Sequence, residues 1–150
     1  MRVYHGSSLH IDEIDLSKGR WGRDFGRGFY VTNIRSQAEV WAARKGQETG
    51  TSGVVTEYDF MEYAYEDDRL KVLRFDSYNE DWFDFIILNR SAPRNQVHDY
   101  DIVEGPVADD QISTRIFLYQ SGILTKQEFL DELRFKKPTH QICFCSVLSL

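Results

Sequence analysis

Two cysteines, three prolines and no apolar run of membrane-spanning length occur in the 150 residues of this chain, and each shortage removes a class of protein. Cys143 and Cys145 are too few for a disulfide framework, and no second ligand pair stands at zinc spacing. On a strand they point to one face and read as small apolar packing residues. Few prolines, no long Gly/Ser or charged tract and 41% hydrophobic residues exclude a disordered or low-complexity chain. No segment approaches the roughly 18 apolar residues that cross a bilayer. The opening Met-Arg-Val-Tyr-His lacks the apolar core of a signal peptide, so a cytoplasmic location is expected.

Familiar nucleotide and metal signatures are missing as well. There is no Walker loop and no Rossmann glycine fingerprint. Asp24-Phe25-Gly26 reproduces the kinase magnesium tripeptide, but the catalytic loop and glycine-rich turn that give it meaning are absent. His10 and His98 have no companions at metal spacing and read as surface residues. Asp99, Asp101, Asp109 and Asp110 gather around Gly105-Pro106 without the spacing of a calcium loop. The Gly-Pro pair reads as a turn, and Asp109 and Asp110 as negative charge for a helix N-terminus. No metal is expected.

What is present is a one-domain length, 1–150, able to bury about two thirds of its unfolded surface. Clusters of strand length cover 2–4, 27–31, 54–60, 71–75, 101–104 and 141–145. Helical spacing covers 36–45 with Gly46 at its end, 80–89 with Trp82, Phe85 and Ile86 on one side, and 109–120 before Gly122. Thr125 and Glu128 form a capping-box pattern at the head of a further helix carrying Phe129, Leu130 and Leu133. Strands and helices intermix without βαβ regularity, which predicts an α+β fold. The apolar end, Val147-Leu148-Ser149-Leu150, reads as a trimmed terminus or the start of another helix.

Net charge is −6, yet residues 1–50 hold eight Lys/Arg against six Asp/Glu. An acidic whole argues against broad binding to a nucleic-acid backbone and leaves room for a local basic groove. Lys18, Arg20, Arg23 and Arg27 precede the strand at Tyr30, where they could receive a pyrophosphate or simply form a solvated loop.

Two segments carry the chemistry. In Val3-Tyr4-His5-Gly6-Ser7 a short β run delivers a histidine, followed by a glycine that leaves the main chain open to a planar amide. In Phe25-Gly26-Arg27-Gly28-Phe29-Tyr30-Val31-Thr32 a glycine turn leads into a strand that presents a tyrosine ring. A polar ring and a flat ring suit a heterocycle on a ribose. Taken alone, Tyr30 reads equally as a core aromatic, and Trp41 as part of an amphipathic face with Ala38, Ala42 and Lys45.

His5-Gly6-Ser7 and Gly28-Phe29-Tyr30 closely resemble the signature of the ADP-ribosyltransferase superfamily, in the class that includes diphtheria toxin and the poly-ADP-ribose polymerases. Gln141, leading the apolar run Ile142-Cys143-Phe144-Cys145, stands for the third signature residue, more often glutamate. Over nearly the whole chain, including Ile14–Arg20, Gln37-Ala38 and Asp101–Asp110, the sequence also resembles an uncharacterised, mainly bacterial family placed in that superfamily. The resemblance implies split, mostly antiparallel sheets enclosing an NAD cleft, with NAD as substrate and no metal. It implies Gly6 on the nicotinamide carboxamide, His5 on a ribose hydroxyl and Ser7 at the edge of the pocket. It further implies Tyr30 stacked on nicotinamide, Trp41 closing the sandwich and Arg27 among the phosphate-binding cations. His5, Tyr30 and Gln141 are the implied catalytic set.

The implied activity is mono-ADP-ribosyl transfer from NAD to a protein or nucleic-acid acceptor, by a bacterial toxin or defence effector with a neutralising antitoxin as partner. Glutamine keeps a hydrogen bond to the ribose and forfeits a charge, which implies slow transfer without chain elongation. Thr139 stands where arginine-modifying relatives carry glutamate, so arginine is a poor acceptor. A catalytically weak NAD or ADP-ribose binding module is the alternative. An RNA 2′-phosphotransferase ranks last, since its pair of extra arginines has no clear counterpart.

Overall fold

Alternation along three short strands organises the interior. In the computed structural model, which describes residues 1–150, the chain forms β1 (Arg2–Ser7), β2 (Phe29–Val31), α1 (Arg35–Thr49), β3 (Val54–Asp59) and β4 (Val72–Arg74). It continues through α2 (Glu80–Arg90), β5 (Ile102–Gly105), α3 (Asp110–Gln120), α4 (Lys126–Leu133) and β6 (Gln141–Phe144), with 3-10 turns at Leu16–Lys18, Glu62–Glu66 and Val147–Ser149. Strands β1 and β3 pair antiparallel as one sheet; the other runs β2-β6-β5-β4, with only the β4–β5 pair parallel. The fold is therefore α+β, with two sheets and four helices.

Phe29 and Val31 of β2, Ile102 of β5 and Ile142 and Phe144 of β6 point into one apolar cluster with Val3 and Phe60, between the two sheets. Their alternates Tyr30, Val103 and Cys143 point into a larger cluster with Trp82, Phe83 and Ile86 of α2, Ile112 and Ile116 of α3, and Phe129 and Leu133 of α4. A period of two thus sends the four-stranded sheet into two cores. Gln141, two residues before Cys143, falls on the helix-facing side with Tyr30, which pairs with Cys143 across β2 and β6.

Helix starts follow the polar residues that precede them. Asn79 accepts from the Trp82 amide, Asp109 from that of Ile112, and Thr125 and Glu128 close a capping box. Three expectations are corrected. Strand β1 continues past Tyr4 to Ser7, because β3 pairs with it as far as Ser7↔Val54. Helix α1 does not stop at Gly46: it runs to Thr49 and is capped by Gly50 at φ 72°. Gly46 lies inside it, where a Cβ would meet Thr51 O at 2.5 Å and Gly53 N at 2.7 Å. His98 is half-buried rather than on the surface, its Nε2–H donating to Phe25 O at 2.7 Å while Nδ1 accepts from the Tyr100 amide.

Cys143 and Cys145 are free thiols, with Cys143 fully buried in the larger core. No helix is long and apolar enough to cross a membrane.

Candidate functional site

The two sheets touch at one point and then part. Tyr4 and Thr32 exchange main-chain hydrogen bonds of 2.8 and 2.9 Å, and β1 and β2 form no bridge beyond this. Because Tyr4 turns its N–H and C=O away from β3, the period of two turns those of Gly6 to the same side, where the sheets have diverged. The Gly6 main chain therefore faces the opening. Its missing side chain serves a second purpose, which the sequence did not reveal. A Cβ there would collide with Ala38 O and lie 2.7 Å from Ala42 N, so glycine is what lets α1 lie against β1.

His5 spans the split. Its Nδ1 lies 2.6 Å from Tyr30 O, and a carbonyl can only accept, so Nδ1 carries the proton and Nε2 is left as an acceptor. Burial, with the nearby Arg23 charge, holds the imidazole below its ordinary pKa despite the Tyr30 bond, which favours the neutral ring. The ring stacks on Phe29 at 4.2 Å between centroids, which fixes its tilt.

Tyr30 is buried and its hydroxyl is committed: it donates to Gly26 O at 2.5 Å and accepts from the Phe25 amide at 3.0 Å. Burial pushes its phenol well above the ordinary range. Arg23 lies over the ring, 5.0 Å from its centroid.

A cavity of about 640 Å³ opens where the sheets part, lined by His5, Gly6, Ser7, Tyr30, Trp41 and the basic residues Lys18, Arg20 and Arg23. Five of the six residues expected to bind a cofactor thus share one cavity. Arg27 does not line it. Its Nε donates to Gly19 O at 3.0 Å, a terminal nitrogen donates to Ser17 O, and the guanidinium covers the Trp21 ring, so Arg27 holds the loop together.

Gln141 lines a neighbouring cavity of about 510 Å³, which shares Arg23, Trp41 and Arg44 with the first. Only 3% exposed, it donates from Nε2 to Asp24 Oδ2 at 3.0 Å and Pro106 O at 3.2 Å. Asp24 in turn receives Arg90 at 2.7 Å and the Ala108 amide at 2.9 Å. Arg90 is braced by Ser113 Oγ at 3.0 Å and Ala108 O at 3.1 Å. Arg44 of α1 pairs with Asp110 of α3 at 2.8 Å across the mouth of this cavity. Asp24, Arg90 and Arg44 went unnoticed as site residues. None of the three carried a usable local signal: Asp24 stands beside Arg23 in a glycine-rich turn, and Arg90 and Arg44 lie on distant helices.

Nowhere do three or more His, Cys, Asp or Glu side chains converge in a metal-binding group. The first cavity joins glycine main chain, neutral imidazole and aromatic rings to a charged rim of both signs, with Asp12, Glu13, Asp15 and Glu48 beside five cations. Arg44 and Lys45 are ion-paired, which leaves Lys18, Arg20 and Arg23 for the anionic end of a flat ligand.

A family model described as "Protein of unknown function (DUF3990)" matches residues 1–150. No curated protein matches the chain. No solved structure matches it either.

Proposed function

The chain belongs to the DUF3990 family of proteins of unknown function, and we propose that its two adjoining cavities bind NAD and that the protein is a mono-ADP-ribosyltransferase. The observation that carries this reading is the split between β1 and β2, where the Gly6 main chain and the free Nε2 of His5 face one opening. The Gly6 amide and carbonyl offer a donor and an acceptor to the nicotinamide carboxamide. Trp41 supplies an aromatic wall, Tyr30 lies beneath the opening with Arg23 over its ring, and His5 Nε2 accepts from a ribose hydroxyl. Lys18, Arg20 and Arg23 have no carboxylate partner and receive the pyrophosphate, a task that passes to them from Arg27.

In the reaction, the bond from ribose C1′ to the nicotinamide nitrogen breaks and its electron pair leaves with nicotinamide. The ribose passes through an oxocarbenium-like state, and a nucleophile on the acceptor bonds C1′ and sheds a proton. Gln141 Oε1 holds a ribose hydroxyl at that stage. It provides orientation without a full charge, so transfer is slow and ends at one unit.

The acceptor is a protein or nucleic acid, and the setting is that of a cytoplasmic bacterial toxin or defence effector restrained by a neutralising partner. A second reading, a binding module for NAD or ADP-ribose with little turnover, draws on the neutral amide at 141.

Nicotinamide release from NAD, measured in the presence of cell extract as a source of acceptor, tests the reading. Wild type should release it, and His5→Ala and Gln141→Ala should fall by about 10²-fold or more, the scale for losing one preorganised polar group. NAD binding without release favours the binding module. Unchanged NAD affinity in both His5→Ala and Tyr30→Ala removes the site assignment.

A further inference from the structure

We infer that Asp24 is a positioning residue that locks the Gln141 amide with Oε1 toward the cavity, so that this site is built for a neutral acceptor at 141 and rejects a carboxylate there. The inference deepens the proposed NAD reading and rests on it for the identity of the ligand; the lock itself rests on geometry.

Both groups that Gln141 Nε2 meets, the Asp24 carboxylate and the Pro106 carbonyl, are acceptors. Only an NH2 can face them, so the orientation of the amide follows from chemistry. Each of its two N–H groups has a partner. Oε1 accepts from no protein group, and the only buried side-chain N or O atom left without a partner in the chain is Asn89 Oδ1. Gln141 Oε1 is therefore open to the cavity its side chain lines.

The lock is braced on every side. Arg90 Nε and a terminal nitrogen hold Asp24 Oδ1, the Ala108 amide holds Oδ2, and Pro106 O also accepts from Trp82 Nε1 at 3.0 Å. Asp24 is 7% exposed and Gln141 3%, so water contributes little to either.

Glutamine is then no weakened glutamate. A carboxylate at 141 would put one oxygen about where Nε2 is, against Asp24 Oδ2 and Pro106 O, with no donor between them. Like charges at contact share a proton or separate. Arg90 offsets part of the Asp24 charge but places no donor between the two carboxylates, because its nitrogens are bound to the far oxygen of Asp24. Arg23 and Arg44 also line the cavity, as do Asp109 and Asp110, which are paired to Lys136 and Arg44.

Thermal unfolding from pH 5 to 8 and calorimetric titration with NAD, on wild type, Gln141→Glu, Asp24→Asn and the double variant, test the lock. Burial beside Asp24 raises the pKa of the introduced carboxyl above its unfolded value. Its folded form is then favoured at low pH and loses stability as pH rises toward the raised pKa. Gln141→Glu should therefore lose about 5 °C or more relative to wild type between pH 5 and 8. It should also bind NAD about tenfold or more weakly at pH 7.5. The double variant sets the amide nitrogen of the introduced asparagine opposite the introduced carboxylate and keeps the amide oxygen on Arg90, so it should lose that pH slope. Its overall stability falls, because the Ala108 amide then meets that nitrogen rather than an oxygen. A purely packing role for Asp24 would produce no such rescue.

A Gln141→Glu protein that tracks wild type at every pH, or binds NAD as tightly, overturns the lock. Wild type that fails to bind NAD, alongside the pH slope and its rescue, upholds the lock and removes the NAD reading instead.

Discussion

Tyr30 shows how far a residue's identity can be read without its use. Its place in a glycine-led aromatic string marked it as a ring to be presented, and its hydroxyl turned out to fasten the turn that precedes it. That role has a measurable consequence. Tyr30→Phe removes the group bonded to Phe25 N–H and Gly26 O inside the core, and should cost about 1–3 kcal/mol in urea unfolding while leaving the aromatic ring in place. His5 was legible in the same partial way: an imidazole next to a glycine was visible, but its tautomer was fixed by a carbonyl 25 residues away. Gln141 was found only through a resemblance, since a polar residue opening an apolar strand has many ordinary uses. Its partner Asp24, 117 residues away, had no local signal at all.

At the scale of elements, local rules succeeded where local chemistry decides. Side-chain caps open α2, α3 and α4, and the capping box read from Thr125 and Glu128 is formed with both of its hydrogen bonds. Those rules failed where a neighbour decides. Gly46 has the look of a helix end, yet the helix runs through it to Thr49, and the close approach of Thr51 and Gly53 is what requires glycine there. β1 gains three residues because β3 lies beside it. Gly6 belongs to this second group. Gly6→Ala should destabilise the protein by about 2 kcal/mol or more, the usual scale of overpacking, because the methyl meets helix backbone at Ala38 and Ala42 rather than a movable side chain. A chemical-denaturation curve for Gly6→Ala checks the size of the loss. A wild-type curve would show that the contact with α1 yields more easily than its geometry implies.

At the scale of the whole molecule, one half-buried cluster ties the second sheet to its surroundings and should govern acid stability. Burial works to raise the Glu104 carboxyl, but hydrogen bonds from His140, Tyr65 and Arg74 outweigh it and hold the group at about 2. A carboxyl with a depressed folded pKa contributes stability above its unfolded value and loses it as pH falls toward the folded one. Stability should thus decline between about pH 4.5 and 2, and Glu104→Gln should flatten that slope in acid titrations followed by circular dichroism. The sequence by itself determined the α+β class, the positions of nearly all strands and helices, the absence of a membrane-crossing helix and the two segments that meet at the opening. These depend on periodicity, capping and turn chemistry, which act within a few residues. Only tertiary structure decided that β1 and β2 part after Tyr4, that Arg27 serves the loop while Arg23 faces the cavity, and that an acid near the N-terminus orients a glutamine near the C-terminus. Those outcomes are contacts between groups distant in sequence, made obligatory by the need of each buried polar atom for a partner, and no window along the chain contains both members.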